Sequence, residues 1–195
     1  MDAIPKVLLV DDEPLILSSY GRTLRGLEVE VLLAEGPQEG LQLLEREPVD
    51  VVIADYRMPG MNGAEFLERV RDRWPDTVRM LNTAYADVDV VEEVVRRGGI
   101  FRFLTKPCDA EKLRGAVRDA LEHHRALSES KRRSQKLQLD LQSFRQIFQS
   151  SLDPMMVSDL DGNLVEVNEA FVKREGISRE EVLRRHSSIL SYWGQ

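Results

Sequence analysis

Short apolar runs alternate with longer amphipathic stretches between residues 6 and 109. The runs at 7–10 and 51–54 are apolar throughout, which is typical of strands covered on both faces. The stretches between the runs carry apolar residues at helical spacing, for example Leu41 and Leu44. This repeated alternation predicts an α/β fold, a doubly wound sheet of five parallel strands with helices on both faces. The predicted strands are 7–10, 29–33, 51–54, 78–81 and 101–104, and the predicted helices between them are 14–25, 37–46, 63–73 and 88–97.

Local signals mark two of the helix ends. Asn62 is followed three residues later by Glu65, which fits a capping box at the start of the third helix. The pair Gly98-Gly99 predicts the end of the fourth helix.

A last amphipathic stretch begins near Asp109 and contains no Pro or Gly between Val117 and Ser151. A helix of about 40 residues would be about 60 Å long, too long to be buried against one small domain. A heptad repeat has apolar residues at eight of its eleven a and d positions, which predicts a parallel coiled-coil dimer that connects two domains. The alternative is two separate helices with a frayed basic joint at 128–136. The a positions are Leu113, Ala120, Leu127, Ser134, Leu141 and Phe148, and the d positions are Ala116, His123, Ser130, Leu137 and Phe144.

The pattern changes again after Ser150. Two short apolar segments at 155–158 and 164–167 flank an Asp-Gly turn, which predicts a tight β-hairpin. Short helices are expected at 169–174 and after Ser178, where Glu181 completes a capping box. About 45 residues cannot close a sheet and cover it with helices, so we expect this part to be incomplete and the chain to belong to a longer protein.

Composition and charge narrow the class of protein. Of 195 residues, 42% are hydrophobic and 31% are charged, and the net charge is −7, values typical of a globular protein. No apolar run approaches the roughly 20 residues that span a bilayer, and the first residues lack the features of a secretory signal. The single cysteine, Cys108, cannot form an internal disulfide. These features predict a cytoplasmic protein without a membrane partner.

The distribution of charge bears on nucleic acid as a partner. Residues 1–124 carry 16 basic and 24 acidic side chains. This excess of acidic side chains argues against binding to the phosphate backbone of a nucleic acid. Residues 125–136 carry five basic and one acidic side chain. Such a run is more often the solvated face of a helix than a nucleic-acid or membrane contact. We therefore expect no nucleic-acid partner.

Three carboxylates follow two of the predicted strands. Asp11 and Asp12 come directly after the first strand, and Asp55 follows the third. In an open parallel sheet, ligands bind beyond the carboxyl ends of the strands, so these side chains are expected at one rim. At about 4 Å and an effective dielectric constant near 20, each like-charge pair costs about 4 kcal/mol, which favours a counter-cation such as Mg²⁺. The alternative is that they are strand-end acids facing solvent, since Asp12-Glu13-Pro14 resembles a helix start.

Two further strand ends carry groups of complementary chemistry. Thr83 follows the fourth apolar run, and Lys106 follows the fifth. A carboxylate nucleophile, a divalent cation, a hydroxyl and an ammonium are together what a transferable phosphoryl group requires. The set therefore predicts a phosphoryl site.

Residues 5–124 resemble a response-regulator receiver domain of two-component signalling, on the stretches VLLVDDEP, ADYRMPGMNG, LNTAYAD and FRFLTKP. The resemblance implies a flavodoxin-like sheet in the order 2-1-3-4-5. It implies that Asp55 accepts a phosphoryl group from a histidine kinase. It also implies that Asp11, Asp12, Asp55 and the backbone carbonyl of Arg57 bind Mg²⁺.

The same resemblance assigns switch and positioning roles. Thr83 would move to bond the phosphoryl oxygen, and Lys106 would pair with it across a cis Lys106–Pro107 bond. The switch aromatic falls at Phe103, which lacks the hydroxyl of the more common Tyr. Arg57 and Tyr85 would border the path of the attacking water and so influence how long the phosphate lasts.

The tail from about Phe144 resembles the opening half of a PAS sensor domain, on the segment FRQIFQSSLDPMMVSDLDGNLVEVNEAFVKREGISREEVL. Its later strands and any flavin-reactive cysteine motif are missing, so no bound cofactor is expected there. The expected organisation is a receiver domain at 1–124, a helical coiled-coil linker at 125–148 and a partial α+β PAS segment at 149–195.

The expected function is a phosphorylation-controlled switch and not a turnover enzyme, with at most self-phosphorylation and self-dephosphorylation. Phosphorylation would alter the receiver face and pass through a parallel homodimer at 113–148 to the PAS segment. A Mg²⁺-dependent phosphatase is a rival, but the Asp-x-Asp nucleophile loop of such enzymes is lacking. A scaffold that only dimerises is a second rival, and the intact Asp55, Thr83 and Lys106 argue against it. His123 and His124 suggest a histidine kinase, but no nucleotide-binding segment follows them.

Overall fold

The computed structural model describes residues 4–84, 99–176 and 178–182. The chain divides into two compact units, Met1–Ser130 and Lys131–Gln195, and the division falls inside one long helix. In the described part, no helix is both long enough and apolar enough to cross a membrane.

The first unit is built on a sheet of five parallel strands in the order β2-β1-β3-β4-β5. This order and the α/β class confirm the fold predicted from the sequence. The predicted fourth helix at 88–97 lies outside the described residues. The strands are β1 (Lys6–Val10), β2 (Glu30–Ala34), β3 (Val51–Asp55), β4 (Val78–Ala84) and β5 (Arg102–Lys106), and the helices are α1 (Pro14–Leu24), α2 (Pro37–Arg46), α3 (Gly63–Arg73) and α4 (Ala110–Ser150).

Two strands extend further than their apolar runs. β4 continues to Ala84 and β5 to Lys106, so Thr83 and Lys106 lie within strands, not after them. The extension is explained by pairing, because Thr83 pairs with Thr105 and Ala84 pairs with Lys106. An apolar run marks only the part of a strand that is buried, whereas the ladder of main-chain hydrogen bonds continues beyond it.

The local signals for helix starts are confirmed. The Asn62 side chain accepts a hydrogen bond from the Glu65 nitrogen at 2.9 Å and caps α3. α1 begins at Pro14, directly after the acidic pair of residues 12 and 13. Proline suits the first turn of a helix, where its missing N–H costs nothing.

The sheet has an apolar core on each face, as expected for a doubly wound fold. One core, which includes Val10, Val52 and Phe66, lies under α2 and α3. The other, which includes Leu9, Ile53 and Met80, lies under α1 and the first part of α4. The sheet is therefore shielded on both sides, and the buried polar residues of its strands, Asp55, Asn82 and Thr83, lie at or near the carboxyl ends of β3 and β4.

α4 is one uninterrupted helix of 41 residues, which excludes the alternative of two helices with a joint at 128–136. Asp109 caps it by accepting a hydrogen bond from the Lys112 nitrogen at 2.8 Å. His123 stacks on Phe101, and His124 Nδ1 lies 3.3 Å from Asp50 Oδ1, so both histidines contact the receiver unit.

The first part of the predicted dimer seam is wrong. Leu113, Ala116 and Ala120 are at most 2% exposed and belong to the core under the sheet, so they cannot contact a second helix. An apolar stripe has nearly the same period whether it covers a sheet or a partner helix, and the heptad alone did not separate the two cases. Four later seam positions are exposed: Leu127 at 51%, Leu137 at 69%, Leu141 at 49% and Phe144 at 48%. The last one, Phe148, is 2% exposed, so the predicted seam is also wrong at its end.

The second unit begins with the end of α4 and contains the predicted hairpin. Its strands are β6 (Met156–Ser158) and β7 (Leu164–Val167), which pair antiparallel, and its short helices are α5 (Glu169–Glu175) and α6 (Arg179–Val182). Asn168 caps α5 through the Phe171 nitrogen and also accepts from the Met155 nitrogen, both at 2.9 Å. Leu164, Val167 and Phe171 form a small buried core.

Candidate functional site

Three carboxylates meet at the carboxyl ends of β1 and β3. These two strands are neighbours in the sheet, which brings Asp11 and Asp12 beside Asp55. One carboxylate oxygen from each of the three lies within 4.8 Å of the others. Asp11 and Asp55 are 3% and 6% exposed, whereas Asp12 faces solvent. Main-chain nitrogens hold the buried pair, because Glu13 donates to Asp11 at 2.9 Å and Arg57 donates to Asp55 at 3.1 Å.

Lys106 joins this cluster from the far edge of the sheet. Its Nζ lies 2.7 Å from Asp55 Oδ1 and 2.9 Å from Asp11 Oδ2, so one ammonium neutralises two buried carboxylates. Burial by itself would lower the pKa of Lys106, but the hydrogen bonds and charges of Asp55 and Asp11 outweigh it and raise that pKa. Lys106 is therefore protonated throughout the physiological range.

The pKa of Asp55 is raised above its ordinary value, chiefly because burial disfavours the charged carboxylate. The hydrogen bond and charge of Lys106 lower this pKa, whereas the charge of Asp11 raises it further. The site thus holds a desolvated carboxylate whose ionisation depends on a neighbouring cation. That combination suits a nucleophile that attacks a phosphorus atom.

The predicted switch residues lie close to this cluster in the sheet. Asn82 is the pairing partner of Asp55, and Thr83 follows it directly on β4. Thr83 is fully buried, and its hydroxyl donates to the Ala84 carbonyl at 3.4 Å. Phe103 is 41% exposed on β5, and the Lys106–Pro107 bond is cis. Tyr85 lies outside the described residues.

Gly63 is a residue of this site that the sequence reasoning did not single out. Its nitrogen donates to the Tyr56 carbonyl at 2.9 Å, and a Cβ at this position would overlap the Asp55 carbonyl oxygen. Only glycine lets α3 begin this close to the end of β3. The sequence feature that could have identified Gly63 was its position directly after Asn62, the residue that caps α3.

The sequence reasoning also missed Asn82 and Tyr20. Asn82 is 2% exposed, and its Nδ2 donates to the Tyr20 hydroxyl at 3.2 Å. Burial raises the pKa of Tyr20, so its hydroxyl stays protonated. A polar amide inside a strand of apolar residues was the available signal for Asn82; nothing in the α1 pattern marked Tyr20.

The donor set of the cluster fits a hard divalent cation. Carboxylate oxygens, one of them exposed to solvent, are the ligands that Mg²⁺ prefers when it keeps part of its water shell. Asp11, Asp12 and Asp55 are the residues that could hold it. The Arg57 peptide lies beside them, because its nitrogen contacts Asp55.

The parallel sheet, with an acidic cluster and a lysine at its carboxyl edge, defines a doubly wound α/β domain. The profile of the response regulator receiver domain matches residues 7–118, which is more than half of the chain. The chain belongs to the response regulator receiver family. The profile of the PAS fold matches residues 142–191, so a PAS region follows the receiver domain.

Individual relatives agree with the family assignment. The hydrogenase transcriptional regulatory protein HoxA of Cupriavidus necator is 40% identical over 116 residues, 60% of this chain and 24% of HoxA. The transcriptional regulatory protein GlrR of Escherichia coli is 38% identical over 116 residues, 60% of this chain and 26% of GlrR. The chain therefore spans about a quarter of the length of these curated relatives.

The fold is also similar to that of solved receiver domains. The signal receiver domain of an HD domain-containing protein from Pseudomonas fluorescens Pf-5 superposes with a TM-score of 0.63 at 34% identity. The superposition covers 66% of this chain and 95% of that one.

Proposed function

We propose that Asp55 accepts a phosphoryl group from the phosphohistidine of a histidine kinase. The observation that carries this proposal is the position of the Lys106 ammonium, 2.7 Å from Asp55 Oδ1 and 2.9 Å from Asp11 Oδ2. A cation that already bridges the nucleophile and a second acid is suited to bind a phosphoryl oxygen that arrives between them.

The proposed reaction is the transfer of a negatively charged phosphoryl group from the imidazole of the kinase to Asp55. A carboxylate oxygen of Asp55 forms a bond to phosphorus, the N–P bond breaks, and the leaving imidazole retains the electron pair and takes up a proton. Lys106 neutralises charge on the phosphoryl oxygens, and the Thr83 hydroxyl donates to one of them. Mg²⁺, when bound by Asp11, Asp12, Asp55 and the Arg57 carbonyl, supplies the remaining positive charge.

The product is a state of the protein and not a released compound. Transfer to Asp55 adds charge and acceptor oxygens at one rim, and Thr83 and Phe103 respond by repacking. Water then removes the group, at a rate influenced by Arg57 and Tyr85. The site therefore acts as a phosphoryl switch with self-dephosphorylation, and no turnover of a free substrate is assigned to it.

The output is a parallel homodimer formed through the later part of α4. Leu127, Leu137, Leu141 and Phe144 offer an exposed apolar seam at heptad spacing. In a parallel dimer, Asp140 at a g position would face the partner's Arg145 at an e position, which favours this orientation. Because the start of α4 packs under the sheet that carries the acid cluster, a change at that site would pass along the helix towards the PAS region.

The relatives are named as transcriptional regulatory proteins, and we carry over only the phosphoacceptor role. Their match covers 60% of this chain and about a quarter of their own length, so their regulatory output is not assigned to it. No nucleic-acid partner is proposed for the acidic receiver domain.

The proposal is tested by phosphorylation with acetyl phosphate, which needs no kinase. The full chain is incubated with acetyl phosphate and Mg²⁺, and the phosphorylated species is resolved on a phosphate-affinity gel. We expect one shifted band that disappears with EDTA and in the Asp55→Asn variant. Asp72→Asn, at an exposed position on α3, serves as the matched control and keeps the band. A band that persists in Asp55→Asn would place the acceptor elsewhere.

A further inference from the structure

Asn82 is a buried polar residue in the middle of the phosphoacceptor sheet. It lies on β4, where its neighbours are Asp55 on β3 and Leu104 on β5, and it is 2% exposed. Burying an amide in a strand costs free energy unless both of its ends are hydrogen-bonded. Both polar atoms of the Asn82 side chain, Oδ1 and Nδ2, are therefore expected to have hydrogen-bond partners.

Only one end of the Asn82 amide has a hydrogen-bond partner among the described residues. Nδ2 donates to the Tyr20 hydroxyl at 3.2 Å, which fixes the plane of the amide. Oδ1 is buried and accepts no hydrogen bond from any residue that the structure describes. A cavity of about 10 Å³ lies here, lined by residues that include Asp11, Asp55, Tyr20 and Asn82.

The Lys106 side chain must pass close to this amide. Lys106 lies on β5, two strands away from the Asp55 carboxylate that it contacts, and neighbouring strands are about 4.8 Å apart. Its main chain pairs with Ala84, so its aliphatic chain crosses β4 beside Ala84 and Asn82. Paired residues in a sheet project from the same face, and Leu104 pairs with Asn82 and precedes Lys106 by two residues. Asp55, Asn82 and Lys106 therefore share one face.

The donors of Lys106 and the acceptor of Asn82 are complementary. An ammonium has three N–H groups, and contacts to Asp55 and Asp11 use two of them. Phosphorylation turns the Asp55 carboxylate into an uncharged acyl group and moves the negative charge onto the phosphoryl oxygens. The ammonium then keeps Asp11 and binds the phosphoryl oxygens in place of the Asp55 carboxylate. Its third N–H remains available to the unused Oδ1 of Asn82, which lies on the same face of the sheet.

We propose that Asn82 is a positioning residue of the phosphoacceptor site: its Oδ1 accepts a hydrogen bond from the Lys106 ammonium in the phosphorylated state, with Tyr20 orienting the amide. Asn82 contacts neither the phosphoryl donor nor the phosphorus atom, and it acts through Lys106. This inference rests on the proposed function, because Lys106 moves from the Asp55 carboxylate to the phosphoryl oxygens only when Asp55 is modified.

The test compares two substitutions that are isosteric with each other. Asn82→Thr keeps an oxygen at this position, and Asn82→Val replaces that oxygen with a methyl group. The full chain is titrated with beryllofluoride and Mg²⁺, which mimic the phosphoryl group on Asp55, and binding is followed by tryptophan fluorescence. We expect Asn82→Val to weaken beryllofluoride binding about 10-fold, the scale of one hydrogen bond to a charged group. Asn82→Thr should remain within about 3-fold of the unmodified protein.

A second measurement observes Lys106 directly. The ¹⁵Nζ resonance of Lys106, assigned by its loss in Lys106→Arg, is recorded with and without beryllofluoride. We expect the bound state to shift this resonance in the unmodified protein and in Asn82→Thr, and to shift it differently in Asn82→Val. Tyr20→Phe, which frees the amide to rotate, should weaken beryllofluoride binding as well. If Asn82→Val does not fold, Tyr20→Phe replaces it as the test variant.

The outcomes separate the two proposals. If the unmodified protein does not bind beryllofluoride, the proposed function fails. If it binds but Asn82→Val and Tyr20→Phe bind equally well, with an unchanged Lys106 resonance, only the inference on Asn82 is overturned. Equal weakening in Asn82→Val and Asn82→Thr would also overturn it, because the oxygen would then have no effect.

Discussion

The ammonium of Lys106 lies 2.7 Å from Oδ1 of Asp55, although the two residues are 51 positions apart on strands separated by β4. The same ammonium reaches Asp11 at 2.9 Å. Both carboxylates are more than nine-tenths buried, so their mutual repulsion would be large without this cation. Lys106 thus stabilises the folded site, in addition to its role in the proposed chemistry.

Removing this cation should destabilise the receiver unit. We expect Lys106→Met to lower the free energy of unfolding by about 3 kcal/mol, because two buried carboxylates lose their partner. The measurement is urea unfolding at pH 7, followed by circular dichroism. Lys112→Met is the matched control, since Lys112 pairs with Asp109 at 3.3 Å at an exposed position and should change stability by less than about 0.5 kcal/mol. Equal effects of the two variants would contradict a special role for Lys106.

Gly63 should not tolerate a side chain. In Gly63→Ala the new Cβ would overlap the Asp55 carbonyl oxygen, which must move with its strand. We expect a loss of about 2–4 kcal/mol of unfolding free energy. Gly115→Ala is the control, because a Cβ added at Gly115, inside α4, would meet no described atom within 4 Å beyond its chain neighbours and the helix's own backbone. This variant should gain about 0.5–1 kcal/mol of unfolding free energy. Chemical denaturation of both variants decides the prediction, and a stable Gly63→Ala would contradict it.

The raised pKa of Asp55 predicts a stability that depends on pH. Because burial raises this pKa, the folded receiver binds the Asp55 proton more tightly than the unfolded chain does. This contribution to stability is complete below the unfolded pKa of about 3.8 and is lost as pH rises through the folded pKa. Asp55→Asn should therefore raise the thermal midpoint at pH 7 in EDTA, and the difference should shrink towards pH 3.5.

The capping residue Asp109 offers a control of opposite sign. Hydrogen bonding from the Lys112 nitrogen lowers the pKa of Asp109, so its charge stabilises the fold above the unfolded pKa and this contribution is lost at lower pH. Asp109→Asn keeps a capping side chain, and it should lower the thermal midpoint at pH 7 and have less effect near pH 3. If Asp55→Asn changes the midpoint equally at all pH values, the desolvation argument for Asp55 fails.

The exposed seam of α4 predicts which leucine supports a dimer. Leu141 occupies an a position of the heptad, whereas Leu139 occupies an f position on the opposite side of the helix. Leu141 is 49% exposed and Leu139 is 64% exposed. Leu141→Ser should weaken dimerisation by at least about 10-fold, since each chain would lose the burial of a leucine. Leu139→Ser should leave the dimerisation constant unchanged. Sedimentation equilibrium of the full chain measures both, and equal effects would contradict the parallel coiled coil.

The sequence by itself determined the strand–helix alternation, the parallel sheet and the presence of acidic, hydroxyl and amine groups at its carboxyl edge. It could do so because strand and helix periods and strand-end polarity are local properties of the chain. It also indicated a continuous helix after Asp109, since nothing in that segment ends a helix.

Only the tertiary structure decided which surface each apolar stripe covers and which polar groups meet. Leu113, Ala116 and Ala120 fit a coiled-coil heptad in sequence, yet they cover the sheet, because the sheet face must be buried before a second chain can compete for it. Gly63 against Asp55, and Tyr20 with Asn82, are likewise contacts between separate elements. The sequence pattern shows whether each surface of a helix or strand is apolar or polar. It does not show which surface packs against it, because that depends on how the elements are arranged in three dimensions.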